Sequence, residues 1–483
     1  EIAILSADLG SAADAILDCY DHYLSQSADK MPETMRVLLT PRLLEPETID
    51  DPVSISLSSR HYGQMADLFP LSPSQRVSLG ILEKTPKGGV CAVNGPPGTG
   101  KTTLIQSVAA DLIVKAFLAS SKPPVIVGVS ANNKAITNIL DSFASVSPED
   151  TEENILNRRW LPDLDALGQY LAANGAEKLE NARQAGYLVS NPGTQGADGY
   201  RDYCVAHSPE ACEEYFLHNL NKQAGLTGEG TLAQAFSLMR DKVADICLGI
   251  DRCLSAVLNV RVSCARSELR DIPIASLASD VSTRLSALQK KREPIENLIQ
   301  REHLEAHRPG FFARAIQRLR YGNPAFRLAR VQSELLRLGV LFDGVESADV
   351  YSIGEEAWIA RRELLDKELS LSKAWKAIAD DYNRIRPYVS ELPPSILCGT
   401  DEWIETIQGK LDRGARHEAF WWALHGFEAQ WLLQRDDAKY GKLNQGRDQS
   451  LERLEQRSYI SPVFVSTLHS LPRFFSFSKK NPE

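Results

Sequence analysis

A glycine-rich segment near residue 100 constrains this chain more than any other feature. Residues 95–102 are Gly-Pro-Pro-Gly-Thr-Gly-Lys-Thr, which fits the pattern G-x-x-x-x-G-K-[ST]. Such a loop brings backbone N–H groups close to phosphate oxygens, and glycine permits both the close approach and a left-handed backbone. The apolar run Val90–Asn94 precedes the segment, and the helical pattern Thr102–Leu118 follows it. The sequence therefore predicts a strand, a phosphate-binding loop and a helix in succession.

Two side chains of this segment have defined chemical roles in the prediction. The ammonium of Lys101 would bind the β- and γ-phosphates, and the hydroxyl of Thr102 would be a ligand of Mg²⁺. The N-terminus of the following helix favours the same anion. We therefore expect ATP and Mg²⁺ as cofactors, held by Gly95, Pro96, Pro97, Gly98, Thr99, Gly100, Lys101, Thr102 and Thr103.

The pattern around the loop is typical of an α/β fold with a parallel sheet. Val125–Val129 is a β-branched run and Lys134–Phe143 has helical periodicity, so strand and helix patterns alternate. Tyr459–Thr467 is the next strong strand pattern. We expect these strands to share one P-loop NTPase sheet, with Val463–Val465 beside or near Val90–Asn94.

The long middle of the chain, residues 150–457, has almost no strand pattern. Apolar positions from Val281 to Ile299 follow alternating steps of four and three, which is the heptad spacing of coiled coils. The segment His307–Gly310 would break this helix, so we expect a long helical hairpin over about residues 255–380. An ordinary helical bundle would show the same periodicity.

Length and composition set wider limits. A chain of 483 residues exceeds one compact core. We divide it into a mixed segment at 1–66, a nucleotide-binding part at 67–149, a helical insertion at 150–457 and a return to the sheet at 458–483. The net charge of -9 provides no general attraction for nucleic acid. Scattered cysteines and the lack of a long apolar run favour a cytoplasmic protein with no membrane contact.

One group of cysteines and histidines could be compared with a zinc site. Cys204, His207, Cys212 and His218 lie close together in the sequence. Their spacing matches none of the usual paired ligand patterns. We therefore interpret them as helical thiols and surface imidazoles.

The residues around the loop resemble a known family. Asn94–Thr103 (NGPPGTGKTT) resembles motif I of superfamily 1 helicases, in the branch that holds RNA-surveillance and replication-associated helicases. Leu71–Gln75 (LSPSQ) stands where that family has its Q motif. The resemblance implies a RecA-like motor domain in which Gln75 pairs with the edge of adenine, as a side-chain amide can. A polar residue that only starts a helix would look the same.

Two further segments are similar to parts of that family that contact nucleic acid or precede its acidic motif. Val125–Leu140 is similar to motif Ia, whose loop grips the backbone of a single strand, and Val463–Phe475 resembles the strand and loop before motif II. The resemblance implies contacts with single-stranded DNA or RNA at Ser130, Asn132, Asn133, Ser466 and Thr467. Alternatively, Asn132 or Asn133 would merely cap a helix. Large helical insertions occur in bacterial members.

The insertion has one strongly basic stretch. Between Arg308 and Arg330 the sequence has six arginines, four aromatic residues and no acidic residue. Arginine with aromatic side chains suits phosphate contact and base stacking, so this stretch could also bind a single strand. The solvated tip of a helical hairpin would have the same composition.

Motif II of such a family should be an apolar strand that ends in Asp-Glu. The closest string ends at Asp401 and Glu402, but it follows two prolines, and Asp401 is better placed to cap a helix starting at Trp403. We therefore expect the N-terminal portion of a helicase motor, ending before motif II. The intact protein would couple ATP hydrolysis to translocation along single-stranded nucleic acid.

Two other functions compete with a helicase. An AAA+-type ATPase shares the GPPGTGKT string but needs its Asp-Glu strand within roughly sixty residues of the loop. Residues 145–175 contain no apolar strand pattern, which argues against this class. The third possibility is a module whose long helices bind a partner protein under the control of nucleotide.

Overall fold

The computed structural model describes part of the chain. The main described stretches are residues 51–131, 133–144, 155–172, 187–190, 198–225, 230–264, 401–437, 450–468 and 470–474, with shorter pieces within 17–39, 182–183 and 366–385 and at residue 439. The chain divides into two compact units. The first comprises Glu1–Leu258, Tyr388–Ser390 and Thr400–Glu483, and the second comprises Asn259–Pro387 and Glu391–Gly399. The elements below belong to the first unit, apart from the last turns of one helix.

A parallel sheet forms the centre of the first unit. Its four strands have the order β1–β4–β2–β3. They are β1 (Ile126–Ser130), β2 (Gly168–Leu171), β3 (Leu188–Ser190) and β4 (Val463–Thr467). Val463 is in register with Ile126 on one side and with Gly168 on the other, so β4, the last of the described strands, is central in the sheet. A parallel sheet with helices is compatible with a P-loop NTPase fold. Because the strands are parallel, their carboxyl ends lie at the same edge of the sheet.

One sequence prediction about this sheet is wrong. Val90–Asn94 pairs with no strand of the described chain, and Val90 and Val93 are 42% and 48% exposed. An apolar run becomes a strand only where a neighbouring edge offers matched N–H and C=O groups. The other two strands, β2 and β3, lie within residues 150–457, where the sequence has almost no strand pattern. They have only four and three residues, too few to show a period.

Helices account for most of the remaining described residues. They are α1 (Glu33–Leu39), α2 (Pro52–Ser58), α3 (Pro73–Lys84), α4 (Lys101–Leu118), α5 (Asn133–Ala144), α6 (Gly199–Ala206), α7 (Pro209–Ala224), α8 (Leu232–Cys264), α9 (Glu402–Leu411), α10 (His417–Gln434), α11 (Ser450–Ser458) and α12 (Leu471–Phe474). A π-helical turn, Asp412–Arg416, joins α9 to α10. No helix in the described part of the chain is long and apolar enough to cross a membrane.

The aromatic helix α10 supports α4, the helix that follows the phosphate loop. Phe420, Trp421 and Phe427 of α10 are at most 2% exposed. The ring of Phe117 on α4 packs against Gly426 and lies edge-to-face with Phe427 at 5.3 Å between centroids. Complete burial of one such side chain stabilises a fold by about 1.5–3 kcal/mol.

Part of the predicted insertion cannot be compared with the structure. The heptad positions from Val281 to Ile299 and the basic stretch Arg308–Arg330 lie outside the described residues. Of the predicted hairpin over about 255–380, only the last turns of α8 and scattered residues from 366 onwards are described.

Candidate nucleotide-binding site

The phosphate loop turns through two glycines with left-handed backbone. Gly98 has φ 83° and Gly100 has φ 77°. Residues with side chains rarely adopt this conformation, so the backbone requires glycine at both positions. Gly100 is also the N-cap of α4, which begins at Lys101 and runs for 18 residues. The loop therefore lies at the N-terminal, partly positive end of a long helix, where a phosphate group binds well.

Hydrogen bonds within the loop hold its shape. The hydroxyl of Thr99 donates to the carbonyl of Pro96 at 2.8 Å. A Cβ added to Gly95 would come within 2.8 Å of that hydroxyl oxygen, so Gly95 is also needed, because it permits this close approach.

The ammonium of Lys101 lies over the loop. Its Nζ donates to the carbonyl oxygens of Gly95 at 2.6 Å and of Pro96 at 2.7 Å. Lys101 and Thr102 are both exposed, so both side chains are accessible to a ligand. Phosphate oxygens are charged and therefore stronger acceptors than these two carbonyls. A triphosphate can replace them as the partner of the ammonium without any rearrangement of a core.

Gln75 joins the start of α3 to the phosphate loop. Its Oε1 accepts from the backbone N–H of Ser72 at 2.7 Å, as one half of a capping box. Its Nε2 donates to the carbonyl of Gly100 at 2.7 Å. The helix-start role that we considered for Gln75 is thus present, and α3 begins at Pro73. Pairing of Gln75 with adenine stays a prediction.

The predicted nucleic-acid residues fall into three groups. Ser130 and Thr467 are register partners at the carboxyl ends of β1 and β4. Ser466 is fully buried and donates to the carbonyl of Leu171 at 3.0 Å, so its hydroxyl does not face a ligand at this edge. Asn132 lies outside the described residues, and Asn133 begins α5, although its side chain is not described.

The structure places the closest acidic pair on a helix. Asp401 is the N-cap of α9, and Glu402 is its first residue, one position before the predicted start. The Asp401 side chain makes no capping hydrogen bond, although its carbonyl accepts from Ile404 at 3.0 Å. The pair therefore does not end an apolar strand, as a motif II carboxylate would.

The cysteine and histidine group is built around an arginine. The guanidinium of Arg435 donates to the carbonyls of Cys204 and His207 and lies 3.6 Å from the sulfur of Cys212. Burial, partly offset by this guanidinium, raises the pKa of the Cys204 thiol to about 12. The described residues contain no group of three or more His, Cys, Asp or Glu side chains that could hold a metal.

A family comparison supports the nucleotide site. Residues 91–184 match the family model of the ATPase family associated with various cellular activities (AAA). The chain therefore carries a P-loop ATPase domain. Such domains bind ATP and Mg²⁺ and hydrolyse ATP in general. No curated protein and no solved structure matches the chain.

The match bears on the choice between a superfamily 1 helicase and an AAA+-type ATPase. The ATPase domain is not evidence for a superfamily 1 helicase, and the AAA+ alternative fits it at least as well. Our argument against that alternative relied on the lack of a strand in residues 145–175, and β2 (Gly168–Leu171) lies there. However, Ala172 rather than an acidic pair follows this strand.

Sequence reasoning missed the residues that pack against the middle of α4, the helix that follows the loop. A buried strap, His61–Gln64, crosses α4 so closely that a Cβ on Gly63 would lie 2.4 Å from the carbonyl carbon of Ala110. The strap is held on α4 by Ser107, whose hydroxyl donates to Oε1 of Gln64 at 2.6 Å. A lone glycine in an otherwise irregular stretch was the only signal for such an approach.

A buried charge cluster lies beside this strap. Oδ2 of Asp412 accepts from Arg76 at 2.7 Å, and Oδ1 accepts from Arg416 at 2.7 Å. Burial by itself would raise the pKa of Asp412, but the two guanidinium groups more than offset this and hold it well below its usual range. The carboxylate therefore stays charged inside the protein.

Proposed function

We propose that the ATPase domain of this chain belongs to a motor that acts on single-stranded nucleic acid, in the manner of superfamily 1 helicases. The observation that carries the proposal is the pairing of Ser130 with Thr467 at the carboxyl edge of the sheet. In parallel α/β sheets ligands bind at this edge. Small hydroxyl side chains and nearby backbone N–H groups suit the phosphates of a nucleic-acid backbone.

The nucleotide end of this proposal rests on the loop. Lys101 would exchange two carbonyl acceptors for β- and γ-phosphate oxygens, and Thr102 would be a ligand of Mg²⁺. The N-terminus of α4 would add its partial charge. Each of these groups is already in place at the loop, so binding needs little ordering of the protein.

The nucleic-acid end rests on the edge formed by β1 and β4. The N–H of Leu468 donates to the carbonyl of Ser130 at 3.2 Å, so the two strand ends continue as one connected surface. The hydroxyl of Thr467 shares a hydrogen bond of 2.9 Å with that of Ser470. Ser470 is buried, so it positions Thr467 rather than facing a ligand. The half-buried side chains of Ser130 and Thr467 would contact the phosphodiester groups, with DNA and RNA sharing the same chemistry.

Linkage between the two ligands tests the proposal. We expect a single-stranded oligonucleotide to tighten the binding of a fluorescent ATP analogue by about fivefold or more, since coupled sites respond by such factors. Oligo(dT) and oligo(U) would be titrated separately to distinguish DNA from RNA. The variant Ser130→Ala/Thr467→Val should lose this coupling while it keeps basal nucleotide affinity.

A matched control removes a hydroxyl elsewhere. Thr406 is exposed on α9 and donates only within its helix in the described structure, so Thr406→Ala should leave the coupling unchanged. If neither oligonucleotide changes nucleotide affinity in the unaltered protein, the proposal is wrong. Nucleotide binding without any response to nucleic acid would favour an AAA+-type ATPase, which the family match at residues 91–184 supports, or a nucleotide-regulated module that binds a protein partner.

A further inference from the structure

We infer that Asp412 is a positioning residue for the phosphate loop, acting through Arg76, the start of α3 and Gln75. The inference deepens the nucleotide site proposed above and rests on it. It connects a carboxylate of the α9–α10 region to Gly100, the last glycine before Lys101. Each step of the connection is a hydrogen bond between described residues.

The first step is a buried ion pair. The side chains of Asp412 and Arg76 are 0% and 2% exposed, and their closest atoms are 2.7 Å apart. Removing one partner of such a pair leaves an uncompensated buried charge, so the pair holds the two elements together tightly. Arg76 lies in the first turns of α3, and Asp412 begins the π-helical turn.

The second step fixes the backbone just before α3. Oδ2 of Asp412 also accepts from the N–H of Leu71 at 2.9 Å. Nη2 of Arg76 donates to the carbonyl of the same residue at 3.0 Å. Both polar backbone groups of Leu71 are therefore held by the pair, and Leu71 directly precedes Ser72, the N-cap of α3.

The third step reaches the loop. The capping box sets the side chain of Gln75 against Ser72, which leaves its Nε2 to donate to the carbonyl of Gly100. The two are so close that a Cβ on Gly100 would lie 2.7 Å from this nitrogen. A shift of the start of α3 would therefore move Gly100 or break its hydrogen bond with Gln75. Gly100 is the N-cap of α4 and directly precedes Lys101.

The same helical region also holds the middle and the C-terminal end of α4. Arg416, which pairs with Asp412 across the π-helical turn, donates to the carbonyl of His61 at 2.8 Å in the strap behind α4. Helix α10, which follows directly, packs its Gly426 on Phe117 near the end of α4. A π-helical turn often marks a functional position in a helix. Here it lies between the ion pair of Asp412 with Arg76 and the contact of Gly426 with Phe117.

A second buried ion pair provides a matched control. Arg159 and Glu428 are 2% and 0% exposed on their side chains, as buried as the first pair. Arg159 also donates to the carbonyls of Ala166 and Ile460. The hydrogen bonds of this pair within the described chain reach neither α3 nor the loop. Its loss should therefore lower stability without a specific effect on nucleotide.

The experiment compares Asp412→Asn with Glu428→Gln, below the unfolding temperature of each. We expect Asp412→Asn to raise the Kd for a fluorescent ATP analogue with Mg²⁺ by about 5- to 30-fold, and Glu428→Gln to change it less than about twofold. Combining Asp412→Asn with Gln75→Ala should weaken binding no more than the stronger single change, because both interrupt one connection.

Hydrogen exchange supplies a readout that needs no nucleotide. Without ligand, the amides of residues 98–103 should exchange faster in Asp412→Asn than in the unaltered protein, and at an unchanged rate in Glu428→Gln. If Asp412→Asn does not fold, Arg76→Lys takes its place. A lysine keeps the charge but lacks the planar guanidinium that donates to Asp412 and to the Leu71 carbonyl at the same time.

The outcomes separate the two proposals. Unchanged loop exchange in Asp412→Asn, or in Arg76→Lys where that variant is used, would overturn the inference. An equal loss of nucleotide affinity in Glu428→Gln would do the same, because it would show general loosening. Faster loop exchange in Asp412→Asn, together with an unaltered protein that binds no ATP analogue, would instead keep the positioning role and overturn the nucleotide site.

Discussion

The ring of Phe117 rests on the backbone of α10 at Gly426, where a Cβ would come within 2.1 Å of a ring carbon. The contact lies between α4, the helix that follows the phosphate loop, and α10, the most aromatic helix in the described part of the chain. Since only glycine leaves room for the ring, the distance between α4 and α10 depends on this residue. The support of the nucleotide site therefore depends on it as well.

Replacing Gly426 with alanine should destabilise the protein by about 1–3 kcal/mol, the usual cost of an overpacked core. The free energy of unfolding from urea denaturation would measure this. Gly414 provides the control, since a Cβ there meets no atom within 4 Å. Gly414→Ala should leave stability unchanged or raise it slightly. A Gly426→Ala variant as stable as the unaltered protein would show that Phe117 can move away freely.

Lys101→Ala should abolish binding of a fluorescent ATP analogue while the protein stays folded. The ammonium is exposed and bonds only to loop carbonyls among the described residues, so no core depends on it. Titration together with circular dichroism would separate binding from folding. Lys222→Ala, which removes an exposed lysine at the end of α7, should bind normally. Full affinity in Lys101→Ala would refute the site.

This chain should hydrolyse ATP slowly, with or without single-stranded DNA or RNA. None of the four described strands is followed by an Asp-Glu pair, and the nearest such pair begins α9. Without a carboxylate at the metal, the attacking water and the developing charge on the γ-phosphate lack stabilisation, so turnover should be low. A phosphate-release assay measures this. Turnover at the level of an intact motor would show that Asp401 and Glu402, or another acidic pair, serve at the metal.

Stability should fall in acid partly because of Asp412. Its pKa is held well below its usual value when folded, so its contribution is present above the unfolded pKa of about 3.9 and is lost as pH falls towards the folded pKa. Urea unfolding at pH 5 and at pH 3 should show a smaller difference for Asp412→Asn than for the unaltered protein. Asp163→Asn, which changes a side chain that is 86% exposed, should retain the full difference.

Local sequence was sufficient for features that depend on a few neighbouring residues. The glycines of the loop, the helix beginning at Lys101 and the strands near Val125–Val129 and Val463–Val465 follow from backbone preference and short-range pattern. The structure contains them at nearly the predicted places. The helix-start role of Gln75 is equally local, because a capping box spans only four residues.

Tertiary structure decided the rest, because the deciding contacts join residues far apart in the chain. Val90–Asn94 has a strand pattern but lacks a paired edge among the described residues, whereas the short β2 and β3 are strands because β4 lies beside β2. The pair of Arg76 and Asp412 spans 336 positions, and the bond from Gln75 to Gly100 joins two separate elements. The sequence does not show which residue a charged side chain pairs with, because ion pairing depends on burial and distance that only the folded chain creates.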